Sequence, residues 1–460
     1  MTNSRTSLSK SQLKSLESIF PGDSMTVAPA EMLIYGTDAG RRFSLPWAVV
    51  RPESVEQVQE LMRLADRERI PIIPRARGTN VVSACVPDQG GVVLSCLKMN
   101  RIISIDPDDF TALVQPGVVT ADLRQKAMDM GLFYPPDPAS MNVSTIGGNI
   151  STNAGGMHAV KYGVTGDYVL GLEVVLPGGE TVTTGGRVHK NVVGLDLTGL
   201  LVGSEGTLGI IVKAWLKLLP GPEYSATILA CFENEQKALR AVQNIFRSGI
   251  LPCALEFLPA EVMDCLAGYG PVPWPGTAGS ALIIQIDGTR PSVTHELRTV
   301  RSAVKGCLHL DQTGQDEEDR IWAIRRLINP ASFSLGPDKI SDDVVVPRGK
   351  ILDAVQGIRG ISRKHGLNIL AFGHVGDGNI HVNYMYDDSD PNRKQKVEAA
   401  RQETLRLVLD LGGSMSGEHG IGLSKKPFIS WQLGSAELEL MRGIKKVFDP
   451  HGILNPGKGW

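Results

Sequence analysis

Three histidines and one glutamate of the chain lie in two glycine-rich segments of the sequence. His374 and His381 stand on either side of the turn sequence 376–379, and Glu418 and His419 are adjacent. Two imidazoles and a carboxylate can bind Zn²⁺, Mn²⁺ or Fe²⁺ and leave coordination positions open. The alternative is that these histidines only cap turns, which is the usual interpretation for a lone histidine and a weaker one for a cluster.

The local pattern predicts the elements that would position these residues. A strand, a turn and a second strand over residues 372–383 would bring the two histidines together. His381 and Asn383 would then share one face of the second strand, because side chains alternate along a strand. Glu418 and His419 lie in a separate glycine-rich turn at 416–422.

Three glycine-rich loops with small hydroxyl or amide side chains precede this region. They span residues 74–80, 145–163 and 203–210. Such loops present backbone N–H groups without steric obstruction, which suits a diphosphate or a flat heterocycle. Each loop alone could be an ordinary tight turn, but three in one part of the chain favour a binding site.

The motifs of several other enzyme classes are absent from the sequence. It has no GxGxxG dinucleotide motif and no GxSxG hydrolase motif. The segment 452–459 approaches a phosphate-binding loop but lacks the Ser or Thr that would hold magnesium. A nucleotide-hydrolysing site is therefore not expected there.

The order of predicted elements suggests at least two parts. A helical lead-in over residues 1 to about 30 is followed by a strand, a helix starting at Ser54 and another strand, which predict a βαβ unit. The Pro-Gly-Pro sequence at 220–222 is the strongest secondary-structure breaker in the chain and marks the first domain boundary. Strands and helices mix beyond it, with a long polar helix over 391–413, and glycine-rich loops return from about Ser416.

Composition limits the class of protein. The chain has 460 residues, 47 Lys plus Arg, 49 Asp plus Glu and a net charge of −2, which argues against nucleic acid or anionic lipid as a partner. Its 6 cysteines include no CxxC pair, which disfavours a disulfide scaffold or an iron–sulfur cluster. No signal sequence or membrane-spanning stretch is visible. We therefore expect a cytoplasmic protein, with peripheral contact to the inner face of the membrane only through a partner.

A set of ordered motifs links the chain to a known flavoprotein family. The motifs are PRARGTN, PPDPAS, TIGGNISTNAGG, KYG, LLVGSEGTLGII, FGHVGDGNIHVN, SGEHGIG and FDPHGILNPGK. From about Tyr35 to the C-terminus, the chain resembles the FAD-linked D-2-hydroxyacid dehydrogenases. These include the flavoprotein subunit of glycolate oxidase, the D-lactate dehydrogenases and the D-2-hydroxyglutarate dehydrogenases, within the vanillyl-alcohol-oxidase-type FAD-binding family.

The resemblance implies an α+β fold with an FAD-binding domain of two α+β subdomains and an α+β cap domain with an antiparallel sheet. We expect a helical lead-in at 1–34 and the FAD-binding domain at 35–220. The cap or substrate domain would span 221–415. The segment 416–460 would return to the FAD-binding domain.

The resemblance also implies a non-covalently bound FAD. The residues that it places around this cofactor are Arg75, Ala76, Arg77, Gly78, Thr79, Asn80, Pro136, Asp137, Thr145, Gly148, Asn149, Ser151, Asn153, Gly155, Gly156, Glu205, Gly209, Ile210, Asn455 and Lys458. One departure is visible, since relatives commonly have a Gly-Gly pair where this chain has Ser83 and Ala84. Arg77 also replaces a residue that is often small, and its charge could compensate for a less close approach of the backbone to the phosphates.

For the second part of the chain, the resemblance implies a divalent metal (Zn, Mn or Fe) held by His374, His381 and Glu418, with His419 as the catalytic base. It places the substrate at Arg325, Asn329, Lys339 and Asn383. A 2-hydroxy acid would chelate the metal, which lowers the pKa of the hydroxyl. The base would remove the hydroxyl proton while the C2 hydrogen leaves as hydride to flavin N5.

We therefore predict the oxidation of a small D-2-hydroxy acid, D-lactate or glycolate, to its 2-oxo acid. The alternative is D-2-hydroxyglutarate or another dicarboxylate, with Lys339 as a second basic contact. A remote alternative is a non-enzymatic metal-binding protein without flavin. We expect a separate iron–sulfur subunit or an electron-transferring flavoprotein as electron acceptor, and an assembly of two copies is also allowed.

Overall fold

The computed structural model describes residues 7–460, and the chain divides into two compact units. The first unit comprises Met1–Gly155, Val164–Gly221 and Glu418–Trp460, and the second comprises Gly156–Gly163 and Pro222–Gly417. Residues 1–6 of the expected helical lead-in lie outside the described part of the chain. Each unit has its own sheets and its own buried core.

The α-helices of the described residues differ widely in length. In chain order they are α1 (Lys10–Ile19), α2 (Pro29–Met32), α3 (Val55–Glu68), α4 (Thr120–Met128), α5 (Ile146–Thr152), α6 (Ala159–Tyr162), α7 (Leu197–Leu201), α8 (Glu235–Arg247), α9 (Ala260–Tyr269), α10 (Arg290–Ala303), α11 (Glu318–Arg326), α12 (Ile328–Ser332), α13 (Ile351–His365), α14 (Pro391–Asp410), α15 (Ile429–Gln432) and α16 (Ser435–Phe448).

The β-strands form separate sheets in the two units. In chain order they are β1 (Met25–Thr26), β2 (Ala48–Val50), β3 (Ile72–Arg75), β4 (Val92–Ser95), β5 (Ile102–Asp106), β6 (Thr111–Val114), β7 (Leu132–Phe133), β8 (Val169–Val175), β9 (Thr181–Gly185), β10 (Ile210–Lys217), β11 (Leu219–Pro220), β12 (Tyr224–Phe232), β13 (Ala254–Pro259), β14 (Ser280–Gly288), β15 (His309–Gly314), β16 (Asp338–Val345), β17 (Asn368–His374) and β18 (Asn379–Tyr386).

The first subdomain of unit one is a small sheet covered by α3. Its strand order is β1-β2-β4-β3, with β2, β4 and β3 parallel. Ser54 caps α3 by accepting a hydrogen bond from the Gln57 amide at 3.3 Å, and the helix ends at Arg69 in the left-handed conformation. The apolar face of α3 packs in the same core as the sheet. The predicted strand, helix and strand are therefore present.

The second subdomain of unit one is an antiparallel sheet with the order β5-β6-β10-β8-β9. The hairpin from β8 to β9 turns at residues 177–179, where the Gly179 amide donates to the Leu176 carbonyl at 2.9 Å. Gly179 has a φ of 83°, which favours glycine. Two short strands, β7 and β11, pair antiparallel with each other and form a separate 2-stranded sheet.

Unit two is built on a 7-stranded antiparallel sheet with the order β15-β12-β14-β13-β17-β18-β16, as seen across the described residues. Every residue of the inner strand β13 is buried, and the strand shares one apolar core with α9, α11 and α12. The long polar helix predicted over 391–413 is α14. The antiparallel sheet predicted for the cap is confirmed.

A short excursion of the chain, Gly156–Gly163, belongs to unit two although both flanking segments belong to unit one. It carries α6. Lys161 Nζ lies 2.5 Å from Asp287 Oδ1, and the Tyr162 hydroxyl donates to the other oxygen of this carboxylate at 2.6 Å. His158 Nε2 lies 2.9 Å from the side-chain oxygen of Gln285. The sequence had not indicated this excursion.

The cysteines of the described residues are all free. Burial raises the pKa of the Cys85 thiol to about 11 and that of the Cys96 thiol to about 12. Within residues 7–460, we find no helix whose length and apolar character would allow it to cross a bilayer.

Candidate functional site

Asn455 links the segment that follows β3 to the third glycine-rich loop. The Asn455 side-chain amide donates to the Ala84 carbonyl at 2.9 Å and to the Glu205 carbonyl at 2.7 Å. Its backbone amide donates to the carbonyl of Ile72, in β3, at 2.8 Å. One asparagine of the C-terminal segment therefore ties together the loops that follow β3 and α7.

The helix α5 joins the same group of loops. The amides of Gly203 and Glu205 donate to the carbonyls of Ile150 and Ser151, at 2.9 and 2.8 Å. A methyl group at Gly206 would lie 2.9 Å from Pro74, so the absence of a side chain permits this approach. The third glycine-rich loop therefore contacts both the first loop and the part of the second loop that belongs to unit one.

Among the buried polar atoms of unit one that have no hydrogen-bond partner within the described chain, four lie in or beside the predicted cofactor segments. They are the Tyr134 hydroxyl, Thr145 Oγ1, Asn455 Oδ1 and Lys458 Nζ. Such atoms cost free energy unless a ligand or water satisfies them. Burial lowers the pKa of Lys458 to about 8. Three of the four were predicted cofactor residues, and the set fits a bound polar or anionic group.

Tyr134 was missed by the sequence analysis. It directly precedes the PPDPAS motif, in which the resemblance implies only Pro136 and Asp137 as cofactor residues. Burial raises the pKa of its hydroxyl above the usual value. Arg124 donates to the carbonyls of Tyr134, Pro135 and Pro136 at 2.8–3.2 Å. This guanidinium holds the backbone that leads to Asp137, which is itself buried.

The basic residues of the first loop have different environments. Arg75 is buried, and its guanidinium donates to the Thr37 carbonyl at 2.5 Å and to the Ile34 carbonyl at 3.0 Å. Arg77 is exposed. A methyl group at Gly78 would clash with the guanidinium of Arg75. Arg75 therefore supports the loop, and Arg77 is the basic side chain that is exposed.

The departure at Ser83 has a local explanation. Ser83 has a φ of 65°, in the left-handed region that favours glycine. Its backbone amide donates to Asp38 Oδ2 at 2.7 Å, and Asn80 Oδ1 accepts from the amides of Val82 and Ala84 at 3.0 and 3.2 Å. These bonds hold the loop in a conformation that a glycine would adopt without strain.

Glu205 connects the third loop to the C-terminal segment of unit one. Its buried carboxylate accepts hydrogen bonds from the amides of Ile421 and Gly422, at 2.5 and 2.9 Å. Burial raises the pKa of Glu205, although these two amides oppose the rise. The Asn80 side chain also donates to the His419 carbonyl at 2.9 Å. Both predicted cofactor residues therefore position the backbone around His419.

Glu418 lies over Gly155 in unit one. A methyl group at Gly155 would lie 2.8 Å from Glu418 Oε2. The side chains of Glu418 and His419 are 16% and 25% exposed, and His419 Nε2 lies 3.9 Å from Glu418 Oε1. The predicted ligand and the predicted base are therefore neighbours beside α5 and the loop that follows it.

The remaining predicted cofactor residues of unit one lie in or beside the same loops. Asn149 donates to the Thr120 hydroxyl at 2.8 Å, Ser151 to the Gly147 carbonyl at 2.7 Å, and Asn153 accepts from the Gly166 amide at 2.7 Å. The others are Ala76, Thr79, Gly148, Gly209 and Ile210, while Gly156 is the first residue of the excursion into unit two.

His374 and His381 meet in unit two as the strand–turn–strand pattern predicted. They lie on β17 and β18, and their Nε2 atoms are 3.2 Å apart. The ring planes are almost perpendicular, at 86°. The Gly373 backbone has a φ of 146°, and a methyl group there would press on the Asn379 carbonyl and the His381 ring. The hairpin therefore brings the two imidazoles edge to face.

A carboxylate that the sequence analysis missed, Glu256, supports this pair. Its side chain is fully buried on β13, and it binds His374 Nδ1 and accepts from Arg325 Nε at 2.5 Å. Burial by itself would raise the pKa of Glu256, but His374 and Arg325 outweigh it and hold this pKa well below the usual range. The signal available in the sequence was one acidic residue inside an apolar strand.

The other predicted substrate residues also lie in unit two. Asn383 is buried, and its side-chain oxygen accepts from the Ser341 hydroxyl at 2.8 Å. Lys339 donates to the side-chain oxygen of Asn329, and burial lowers the pKa of this lysine. Arg325 lies over the Phe372 ring at 5.1 Å. Lys339 is therefore paired with a neutral amide rather than with a carboxylate.

Comparison with protein-family models matches residues 46–185 to the FAD binding domain and residues 221–459 to the C-terminal domain of FAD linked oxidases. The chain is 41% identical over 433 residues to glycolate oxidase subunit GlcD of Bacillus subtilis (strain 168), covering 93% of this chain and 92% of that protein. It is 36% identical over 440 residues to a D-lactate dehydrogenase of Anaerostipes hadrus, covering 93% and 91%.

The crystal structure of p-cresol methylhydroxylase with substrate bound shares the fold, with a TM-score of 0.81 at 20% identity over 98% of this chain and 97% of that one. Family models that span both units and relatives well above 30% identity over nearly the whole length agree with the loop geometry of unit one. The chain belongs to the family of FAD-linked oxidases and is an FAD-dependent oxidoreductase with the vanillyl-alcohol-oxidase-type fold.

Proposed function

We propose that this chain oxidises a small D-2-hydroxy acid, D-lactate or glycolate, to the 2-oxo acid with FAD and a divalent metal. The observation that carries the proposal is the His374–His381 pair, whose Nε2 atoms converge beside a buried carboxylate and an arginine. Relatives named as a glycolate oxidase subunit and as a D-lactate dehydrogenase support the choice of substrate class.

The imidazole pair fits a metal site. Two nitrogen ligands at about 2.0–2.1 Å from a tetrahedral Zn²⁺ lie roughly 3.3 Å from each other, and the two Nε2 atoms are 3.2 Å apart. Glu256 at His374 Nδ1 is the kind of carboxylate that orients a ligating histidine. A bound divalent metal would acidify the hydroxyl of a chelated 2-hydroxy acid.

Glu418 is proposed as the third ligand. The residue before it, Gly417, donates its backbone amide to Asp343 at 2.6 Å. Asp343 is the register partner of His381 across β16 and β18. A methyl group at Gly417 would clash with the Asn379 side chain, so the chain approaches the hairpin closely just before Glu418. His374, His381 and Glu418 would hold the metal.

His419 is proposed as the base that removes the substrate hydroxyl proton. An imidazole suits this role near neutral pH because its ordinary pKa lies close to it. The Asn80 amide and the Glu205 carboxylate fix the backbone at this histidine and just after it. Those contacts would set the direction from which the imidazole approaches the substrate.

Bound FAD would supply the oxidant, since a flavin can accept the C2 hydrogen together with both electrons of the alcohol. The buried atoms of unit one without a partner are proposed to bind it, with Lys458 Nζ at an anionic group and Thr145 Oγ1 as a further contact. Arg325 is proposed to bind the substrate carboxylate through its Nη atoms, because its Nε is committed to Glu256. Asn383 would add a polar contact.

A second candidate substrate is D-2-hydroxyglutarate or another dicarboxylate. The observation that favours it is Lys339, which is partly buried and paired with the neutral Asn329 side chain. Its positive charge is therefore available to a second carboxylate. The choice is tested by measuring steady-state turnover of the purified holoenzyme with a dye as electron acceptor. The substrates compared are D-lactate, glycolate, L-lactate and D-2-hydroxyglutarate. D-Lactate or glycolate should exceed L-lactate and D-2-hydroxyglutarate in kcat/KM by at least tenfold, and the opposite order would refute the small-acid proposal.

The electron acceptor is proposed to be a separate protein, an iron–sulfur subunit or an electron-transferring flavoprotein. The printed name of one relative calls it a subunit. The sequence of this chain has no CxxC pair, which leaves it without the usual ligands of an iron–sulfur cluster. Peripheral contact with the inner face of the membrane is proposed to go through such a partner.

A further inference from the structure

The buried strand β13 contains one charged side chain, Glu256, which has 0% side-chain exposure. A carboxylate in such a place is costly unless it is paired and hydrogen-bonded. Its presence in an otherwise apolar strand therefore requires strong partners. The two partners that it has are both residues of the proposed site.

The two oxygens of Glu256 are divided between these partners. Oε1 binds His374 Nδ1, and Oε2 accepts from Arg325 Nε at 2.5 Å. Glu256 and His374 are also register partners across β13 and β17, so the contact is built into the sheet. Phe372, two residues before His374, lies under the guanidinium at 5.1 Å. The Glu256 carboxylate therefore fixes the orientation of the His374 ring. Together with the Phe372 ring, it also fixes the plane of the Arg325 guanidinium.

We propose that Glu256 is a positioning residue that holds one proposed metal ligand and the proposed substrate-binding arginine with a single carboxylate. The inference rests on the proposed function. With Nδ1 committed to Glu256, His374 presents Nε2 toward His381. With Nε committed to the same carboxylate, Arg325 is left with its Nη donors for a substrate carboxylate. Metal affinity and substrate affinity therefore depend on one side chain.

A merely structural role for Glu256 makes a different prediction. Loss of a buried charge partner would then lower stability and leave the ligand affinities of the folded protein unchanged. Asp342 provides a matched control in the same sheet. It is 1% exposed and accepts from Arg401 Nε at 2.6 Å and Nη2 at 3.0 Å, and its strand β16 pairs with the strand that carries His381.

The test measures the dissociation constant for Zn²⁺ in the FAD-loaded, metal-stripped protein by competition with a chromogenic chelator, and KM for D-lactate in the reloaded enzyme. Glu256→Gln should weaken Zn²⁺ binding by about 10–100-fold and raise KM, while Asp342→Asn should lower stability and change neither constant. A folded Glu256→Gln protein with the wild-type Zn²⁺ constant would overturn the inference, as would an equal loss in Asp342→Asn.

Glu256→Asp keeps the negative charge and is the second variant for the same two measurements if Glu256→Gln does not fold. Its shorter side chain cannot reach both partners, so it should also raise the Zn²⁺ constant or KM, and wild-type values of both would overturn the inference. Failure of the proposed function itself has a separate signature. Wild-type holoenzyme that binds no Zn²⁺ would refute the metal site, whereas wild-type binding with an unaffected Glu256→Gln variant would refute only the role of Glu256.

Discussion

Replacement of Lys458 by methionine should have opposite effects on the FAD-free and the FAD-bound protein. Lys458 is 5% exposed, and its Nζ has no hydrogen-bond partner within the described chain. Burial lowers its pKa from the ordinary 10.5 to about 8. That difference corresponds to roughly 3 kcal/mol of unfavourable free energy for the charged amine at neutral pH. Methionine has a similar shape and carries no charge, so Lys458→Met should stabilise the FAD-free protein by up to this amount.

The same substitution should weaken FAD binding. A hydrogen bond to a charged group contributes roughly 1.5–3 kcal/mol, so the dissociation constant for FAD should rise about 10- to 150-fold. The assay is urea unfolding of the FAD-free protein together with FAD titration by quenching of flavin fluorescence. Lys445→Met is the matched control, because Lys445 Nζ bonds to Asp449 at 2.5 Å and to the Thr207 carbonyl at 2.7 Å. That control should lose stability.

The pH dependence gives an independent check on Lys458. Its pKa is lower in the folded protein than in the unfolded chain, so the unfolded chain binds the extra proton between about pH 8 and 10.5. The stability contribution of this group to the FAD-free protein should therefore rise with pH across that window. Lys458→Met should remove this rise. A Lys458→Met protein that is less stable without FAD, or that binds FAD as tightly as the wild type, would refute the reasoning.

The remaining predictions concern three other positions of unit one. Gly155→Ala should displace the Glu418 carboxylate, since the new methyl group would lie 2.8 Å from Oε2. Metal analysis of the purified variant should show a reduced metal content, and full metal content would contradict the proposed role of Glu418 as a ligand. Ser83→Gly should stabilise the protein by about 1 kcal/mol in urea unfolding, because glycine adopts the φ of 65° without strain. Asn455→Ala should cost about 1–3 kcal/mol in the same assay, because it leaves two buried carbonyls without their donor.

Local sequence patterns predicted the elements with strong local signals. Ser54 and the apolar face that follows it identified α3, and the two histidines around a glycine-rich turn identified the β17–β18 hairpin. These signals are local, because caps and side-chain periodicity depend on neighbouring residues. The same locality explains why the glycine-rich loops were recognised as loops, while the hydrogen bonds from Asn455 to Ala84 and Glu205 were not predicted.

Long-range pairs were beyond the reach of such patterns. Glu256 contacts His374 and Arg325, which are 118 and 69 residues away. Nothing near Glu256 in the sequence identifies those partners. The resemblance to a family suggested Arg325 as a substrate contact but did not show that its Nε donates a hydrogen bond to Glu256. The excursion Gly156–Gly163 was missed for a similar reason, because its hydrogen bonds go to β14.

The most direct test of the central claim is an anaerobic titration of the purified holoenzyme, followed by the flavin absorbance band near roughly 450 nm. D-Lactate or glycolate should bleach this band, while L-lactate should not. Removal of the metal with a chelator should abolish the bleaching, and added Zn²⁺ or Mn²⁺ should restore it. A flavin band that stays unchanged with every 2-hydroxy acid, or that bleaches equally well after complete metal removal, would contradict the account.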